Sequence, residues 1–86
     1  MKIFTIFDSK VESYSVPFFQ PHVGHAIRQF TDLVNDPKTS VGKYPEDYTL
    51  FEIGEYDEVT GKITQYDANK SLGCAVEFVK KQLDVN

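Results

Sequence analysis

Hydrophobic and polar positions along this chain follow two periods, and the chain begins with the period of strands. Residues 2–7 are almost continuously apolar, which is typical of a central strand covered on at least one face. Over residues 13–18, apolar positions alternate with serine and proline, the pattern of a half-buried strand that Pro17 confines to a sheet edge. With turn residues at 8–10 between them, the two segments predict a β-hairpin.

The next segment changes to the spacing of three and four residues that places apolar side chains on one side of a helix. This helix is predicted to open at Pro21 and to stop at residues 35–37, because the residue before a proline avoids the α region and Asn and Asp favour turns. Residues 37–46 are then predicted to form a loop. The apolar stripe of the helix consists of Val23, Ala26, Ile27, Phe30, Leu33 and Val34.

Strand periodicity returns over residues 47–56, and a turn follows in which Gly61 is expected to adopt a positive φ. Residues 62–66 form the predicted returning strand. Ser71 is a suitable N-cap for a last helix, with two lysines near the negative end of its dipole. The apolar stripe of this second helix consists of Leu72, Ala75, Val76, Val79 and Leu83.

The resulting order β-β-α-β-β-α predicts an α+β fold, most simply a four-stranded, largely antiparallel sheet with two helices on one face. The other sheet face is then open. No repeat, linker or low-complexity segment divides the chain, so residues 1–86 are predicted to be one α+β domain. Because 86 residues is close to the roughly 70–80 below which one core needs additional support, the chain is expected to be a homo-oligomer, most simply a dimer.

Cysteine usage and the N-terminus both favour a cytosolic protein. Cys74 is the only cysteine, so the chain has neither an internal disulfide nor a thiolate metal site, and a reducing compartment is expected. The apolar run before Asp8 is too short for a signal peptide, and no window approaches a membrane span.

The net charge of −4 is unevenly distributed along the sequence. Residues 46–67 hold seven acids against Lys62 alone, whereas residues 1–45 and 68–86 each have a net charge of +1. The acidic excess therefore belongs to one predicted hairpin, and the rest of the chain is mildly basic.

No arrangement in the sequence identifies an active centre. His22 and His25 are spaced for one helix face, but a third metal ligand is missing, so a solvated face is the simpler interpretation. The carboxylates of residues 52–58 have no calcium-loop spacing, and strand alternation places them on a solvent face. Phosphate-binding loops and nucleophile elbows are also absent from the sequence. No enzymatic activity, cofactor or metal is predicted, and a small metal-dependent enzyme is the weakest alternative.

The segment PKTSVGKYP at 37–45 combines two lysines, two hydroxyls, a glycine and a tyrosine. Single-stranded nucleic acid is held by cationic grooves and aromatic platforms, and this composition suits both. An ordinary solvated connection is the alternative. Basic and aromatic residues nearby in the predicted fold extend the surface. The candidate DNA-binding residues are Lys10, Tyr14, Arg28, Lys38, Lys43 and Tyr44.

Several short pieces, taken in order, resemble the small non-structural protein of gokushovirus-type phages, which are single-stranded DNA viruses of the Microviridae. Any one piece is uninformative, but together they extend over nearly the whole chain. The pieces are MKIFTIFDSK at 1–10, PF at 17–18, NDP at 35–37, YPEDYTLFEIGEYD at 44–57 and TG at 60–61.

The resemblance implies a DNA-binding protein made during infection, absent from the virion and tied to the switch from duplex replication to single-strand genome synthesis. Our leading hypothesis is therefore a non-enzymatic phage protein of the host cell cytoplasm that binds single-stranded DNA during genome replication or packaging. The alternative is a protein-interaction adapter that contacts the replication initiator or the capsid precursor through its acidic hairpin. The net negative charge favours this alternative, because phosphate contacts require cations.

Overall fold

The computed structural model of the protein describes residues 1–80, which form an antiparallel sheet of five strands with two helices. The α+β class is thus confirmed. No helix within residues 1–80 has the length and apolar character needed to cross a bilayer. In chain order the elements are β1 (Lys2–Asp8), β2 (Ser13–Tyr14), β3 (Phe18–Gln20), α1 (Val23–Val34), α2 (Ser40–Lys43), a 3-10 turn (Pro45–Asp47), β4 (Tyr48–Tyr56), β5 (Ile63–Cys74) and a second 3-10 turn (Ala75–Phe78).

Strands β1 and β4 are the centre of the sheet and pair with each other. Strands β2 and β3 both pair with the other edge of β1, and β5 pairs with β4. The predicted second strand is therefore divided in two, and the predicted count of four strands is wrong. Hydrogen-bonded strand pairing along this edge of β1 is interrupted at Val16 and Pro17. Ser15 still bonds to β1, because its hydroxyl accepts from the Ile6 N–H at 3.0 Å.

The last helix predicted from Ser71 is wrong within the described residues. Strand β5 continues to Cys74, with Ser71 opposite Phe51, and only a single 3-10 turn follows. Gly73 has a φ of +135°, a conformation that a helix does not contain. Pairing with β4 therefore prevails over the helical spacing of the apolar residues, and Leu83 of the predicted stripe lies outside the described part.

Helix α1 is confirmed, and it ends at the predicted place, with Asn35 as its C-cap. The segment after it contains more structure than the predicted loop. The Thr39 hydroxyl accepts from the Gly42 N–H at 2.9 Å and so caps α2, while it lies 2.7 Å from the Leu33 carbonyl oxygen, to which it donates. These bonds fold residues 37–47 against the end of α1.

The core lies between α1 and one face of the sheet. Phe4, Phe30 and Leu50 are its largest fully buried side chains. The opposite sheet face is open, as the sequence predicts. Further members of the core cluster are Ile6, Ala26, Val34, Val41 and Ala75.

Candidate functional site

Two of the predicted DNA-binding residues meet at the end of the sheet where the β1–β2 turn approaches α2. Lys10 and Tyr44 line one shallow depression of about 540 Å³. The depression exists because the 3-10 turn after α2 brings its segment beside the end of β1, and the Ser9 N–H donates to the Asp47 carbonyl oxygen at 2.8 Å. Tyr44 is 54% exposed, so its ring is available for stacking.

Tyr14 lines an adjoining depression, which shares Asp8, Val11 and Tyr48 with the first. Its ring packs against Phe7, with 4.6 Å between the ring centroids, yet 52% of the residue is exposed. The structure therefore brings Lys10, Tyr14 and Tyr44 into one continuous surface.

The other three predicted residues are exposed but do not line this surface. Arg28 is exposed on α1, Lys38 is exposed in the turn after it, and Lys43 is the last residue of α2, directly before Tyr44. Within residues 1–80, no carboxylate lies at ion-pair distance from any of these three cations or from Lys10. Their charges are thus available to a polyanion.

Three carboxylates also line the Lys10–Tyr44 depression, and the sequence analysis did not place them there. Glu46 and Asp47 come from the 3-10 turn before β4, and Asp8 comes from the end of β1. Burial, and secondly a hydrogen bond with Asp8, raises the pKa of Tyr48 beside them. The lining of the depression is therefore rich in hydrogen-bond acceptors, and Lys10 is the one cationic side chain among the lining residues.

The described residues contain no group of three His, Cys, Asp or Glu side chains arranged to hold a metal ion. The exposed rings of His22 and His25 stack on each other, with 5.7 Å between their centroids. We therefore assign to Asp8, Glu46 and Asp47, which line the depression with Lys10, the role of hydrogen-bond acceptors.

Glu52, predicted to face solvent, is instead 3% exposed, which corrects that part of the sequence analysis. The register of β4 against β1 is regular up to the pairing of Glu52 with Phe4 and shifts only beyond it, so Glu52 lies on the same sheet face as the buried Leu50. There it accepts from the Tyr66 phenol at 2.5 Å and lies 3.6 Å from the Lys2 ammonium. This network joins β1, β4 and β5.

Alkaline pH is expected to weaken the fold through Tyr66. Burial, with the hydrogen bond to Glu52 second, raises the pKa of Tyr66 from 10.0 to about 12. Because the folded pKa exceeds the ordinary value, this contribution to the free energy of unfolding is complete below pH 10 and is lost as the pH rises through about 12. Urea denaturation across this range should show a decline that Tyr66→Phe abolishes. An equal decline in both proteins would contradict the assignment.

A protein-family model and a known phage protein each match most of this chain. The family model described as Phage ORF5 protein matches residues 1–78. The chain is also similar to Protein ORF5 of Chlamydia phage 1, at 35% identity over 72 residues, covering 79% of this chain and 75% of the relative. No solved structure matches the chain.

Proposed function

This chain belongs to the phage ORF5 protein family, which confirms the resemblance to gokushovirus-type phage proteins, and from that premise we propose that it binds single-stranded DNA. In this proposal it acts without catalysis, as a homodimer in the cytoplasm of the infected host cell. Its role belongs to genome replication, at the switch to single-strand synthesis, or to packaging. The observation that supports the proposal most directly is the surface shared by Lys10, Tyr14 and Tyr44.

Exposed tyrosines next to unpaired cations suit a flexible polyanion with aromatic bases. Stacking of a base on an aromatic side chain contributes about 1–3 kcal/mol and tolerates any base. Tyr14 and Tyr44 are each about half exposed, in adjoining depressions. Lys43 precedes Tyr44 in the chain, so a phosphate next to a base stacked on that ring lies within reach of its ammonium group.

The carboxylates in the depression determine which part of the nucleotide enters it. Phosphate is repelled by Asp8, Glu46 and Asp47, whereas the amino groups of base edges donate hydrogen bonds to carboxylates. We therefore place bases over the depression and phosphates outside it, toward Arg28 and Lys38. In this arrangement the carboxylates of the depression bind the bases, and the cations outside it bind the phosphates.

Charge reversal tests this assignment. Changing Arg28, Lys38 and Lys43 together to Glu should weaken binding of a labelled oligonucleotide by about tenfold or more, and should flatten the dependence of affinity on salt, because phosphate contacts release counterions. Fluorescence anisotropy at two salt concentrations measures both effects.

The matched control reverses three exposed lysines elsewhere, so that the net charge changes equally. These are Lys62, Lys70 and Lys80. This control should bind more tightly than the Arg28, Lys38 and Lys43 variant. Equal losses in the two variants would show that total charge alone governs binding, and strong retention by the first variant would refute the assigned cations.

The adapter function is the second candidate, and the shape of the acidic hairpin favours it. The molecule is 56 Å long, and the β4–β5 turn leaves Val59 94% exposed and Ile63 60% exposed among carboxylates. Apolar side chains rimmed by charge are a common form of protein-binding surface. If this function is correct, the protein will bind no oligonucleotide at low salt. It will instead bind a replication initiator or capsid precursor, and Val59→Asp will abolish that binding.

A further inference from the structure

The sheet face opposite α1 is covered by no other element of residues 1–80, and we call it the open face. Phe19 of β3 lies opposite Ile3 of β1, and its ring meets Tyr56 of β4 with 5.8 Å between centroids. Farther along the sheet, the ring of Tyr14 lies 6.1 Å from that of Phe51. The apolar side chains of the open face are Pro17, Phe19, Ile53, Tyr56 and Ile63, whereas Tyr14, at one end of this face, belongs to the proposed DNA-binding surface.

These side chains border three shallow depressions that run into one another. The first extends from Tyr14 to Ile53, and the second shares Pro17 and Ile53 with it. The third shares Phe19 with the second and ends at Tyr56. The open face is therefore a continuous groove along the sheet rather than a set of isolated apolar residues.

The groove carries almost no charge. The first two depressions are lined by no charged side chain, although 26% of the residues in the chain are charged. Glu58, at the far end of the third, is the single exception among the lining residues. Depletion of charge together with enrichment in aromatic residues characterises the centre of protein interfaces.

We propose that the open face is the interface of a homodimer in which two sheets pack face to face. A nucleic acid is a poor occupant, because no cationic side chain lines the groove to neutralise its phosphates, and the N-terminal ammonium of Met1, at one end, already donates to the Tyr56 carbonyl oxygen. A second copy fits the charge distribution. Two chains of net charge −4 repel each other in sum, and the groove lets them approach through a region without opposing carboxylates except Glu58 at one end.

The size of the open face also suits a second copy. A standard interface buries about 800 Å² on each partner, and a molecule with extents of 56, 27 and 20 Å is large enough to present a face of that size. Two sheets pack about 10 Å apart with their side chains interdigitated, and a two-fold axis buries the same groove on both subunits. Arg28, Lys38 and Lys43 belong to the opposite, helical side of the sheet and stay accessible in such a pair.

Light scattering without nucleic acid tests the interface and does not depend on whether the protein binds DNA. The protein should have twice the 9.8 kDa mass of one chain, and Ile63→Lys should give a single chain. Ile63 is 60% exposed, so this substitution removes little from the folded subunit. Phe19→Lys, at 40% exposure, provides a second disruption, and circular dichroism verifies that both variants are folded.

Val76→Lys is the matched control, because Val76 is 48% exposed and its 3-10 turn packs against α1 on the other side of the sheet. This variant should keep the double mass. A single-chain mass for the unaltered protein at high concentration overturns the proposal, as does a double mass in both folded variants. The proposal is also overturned if Ile63→Lys keeps the double mass but no longer binds the oligonucleotide, since the groove would then contact DNA.

Discussion

Phe30→Ala should lower the free energy of unfolding by about 3–5 kcal/mol, a large part of the roughly 5–15 kcal/mol available to a domain. Phe30 is fully buried in α1, and its ring meets Phe78 edge-on, with 5.6 Å between centroids. Truncation leaves a cavity between helix and sheet and also removes the anchor of the C-terminal 3-10 turn. Equilibrium urea denaturation measures the loss.

Asp32→Ala on the same helix is the control, because Asp32 is exposed and has no ion-pair partner among residues 1–80. Its effect should stay within about 0.5 kcal/mol. If Phe30→Ala cost as little as this control, α1 would not be the main cover of the core, and the described packing would be wrong.

Gly42→Ala should lower the free energy of unfolding by about 1–3 kcal/mol and weaken oligonucleotide binding as well. A Cβ at this position would lie within van der Waals overlap of the Asp36 carbonyl group, which is backbone and cannot turn aside. The substitution therefore pushes α2 away from the end of α1. Lys43 and Tyr44 follow directly in the chain, so they move with it.

Gly24→Ala gives the comparison, since a Cβ there meets nothing within 4 Å and the residue lies on the exposed side of α1. This change should stabilise the protein by about 0.4–1 kcal/mol, because alanine suits a helix better and restricts the unfolded chain. Thermal unfolding of the two variants separates the effects. Stabilisation by Gly42→Ala would show that α2 does not pack closely on residue 36.

Local signals predicted the elements that local chemistry governs. Helix α1 has a long apolar stripe and a stop at Asn35–Pro37, and Gly61 has the expected positive φ of 75°. The prediction of a C-terminal helix is wrong because it used only the apolar spacing of residues 72–79, which fits a helix. Pairing with β4 and the positive φ of Gly73 extend β5 to Cys74 instead. Such long-range pairing leaves little trace in a local pattern.

The candidate site shows the same division. Tyr14, Tyr44 and Lys10 were predicted to share a surface, and adjoining depressions bring them together. Glu52 was misplaced although alternation puts it on the face of the buried Leu50, because the partners that make a buried carboxylate tolerable, Tyr66 and Lys2, come from other strands. The composition of the loop did not reveal that Gly42 is required for close packing against Asp36.

Interruptions on both sides of the sheet limit the pairing of further strands with it. On one side the ladder breaks at Val16–Pro17, and on the other residues 66–69 of β5 stand opposite Ile53 alone. A foreign strand would find only short runs of donors and acceptors at either margin, and uninterrupted margins are what amyloid growth requires. The sheet is thus a poor template for the addition of further strands.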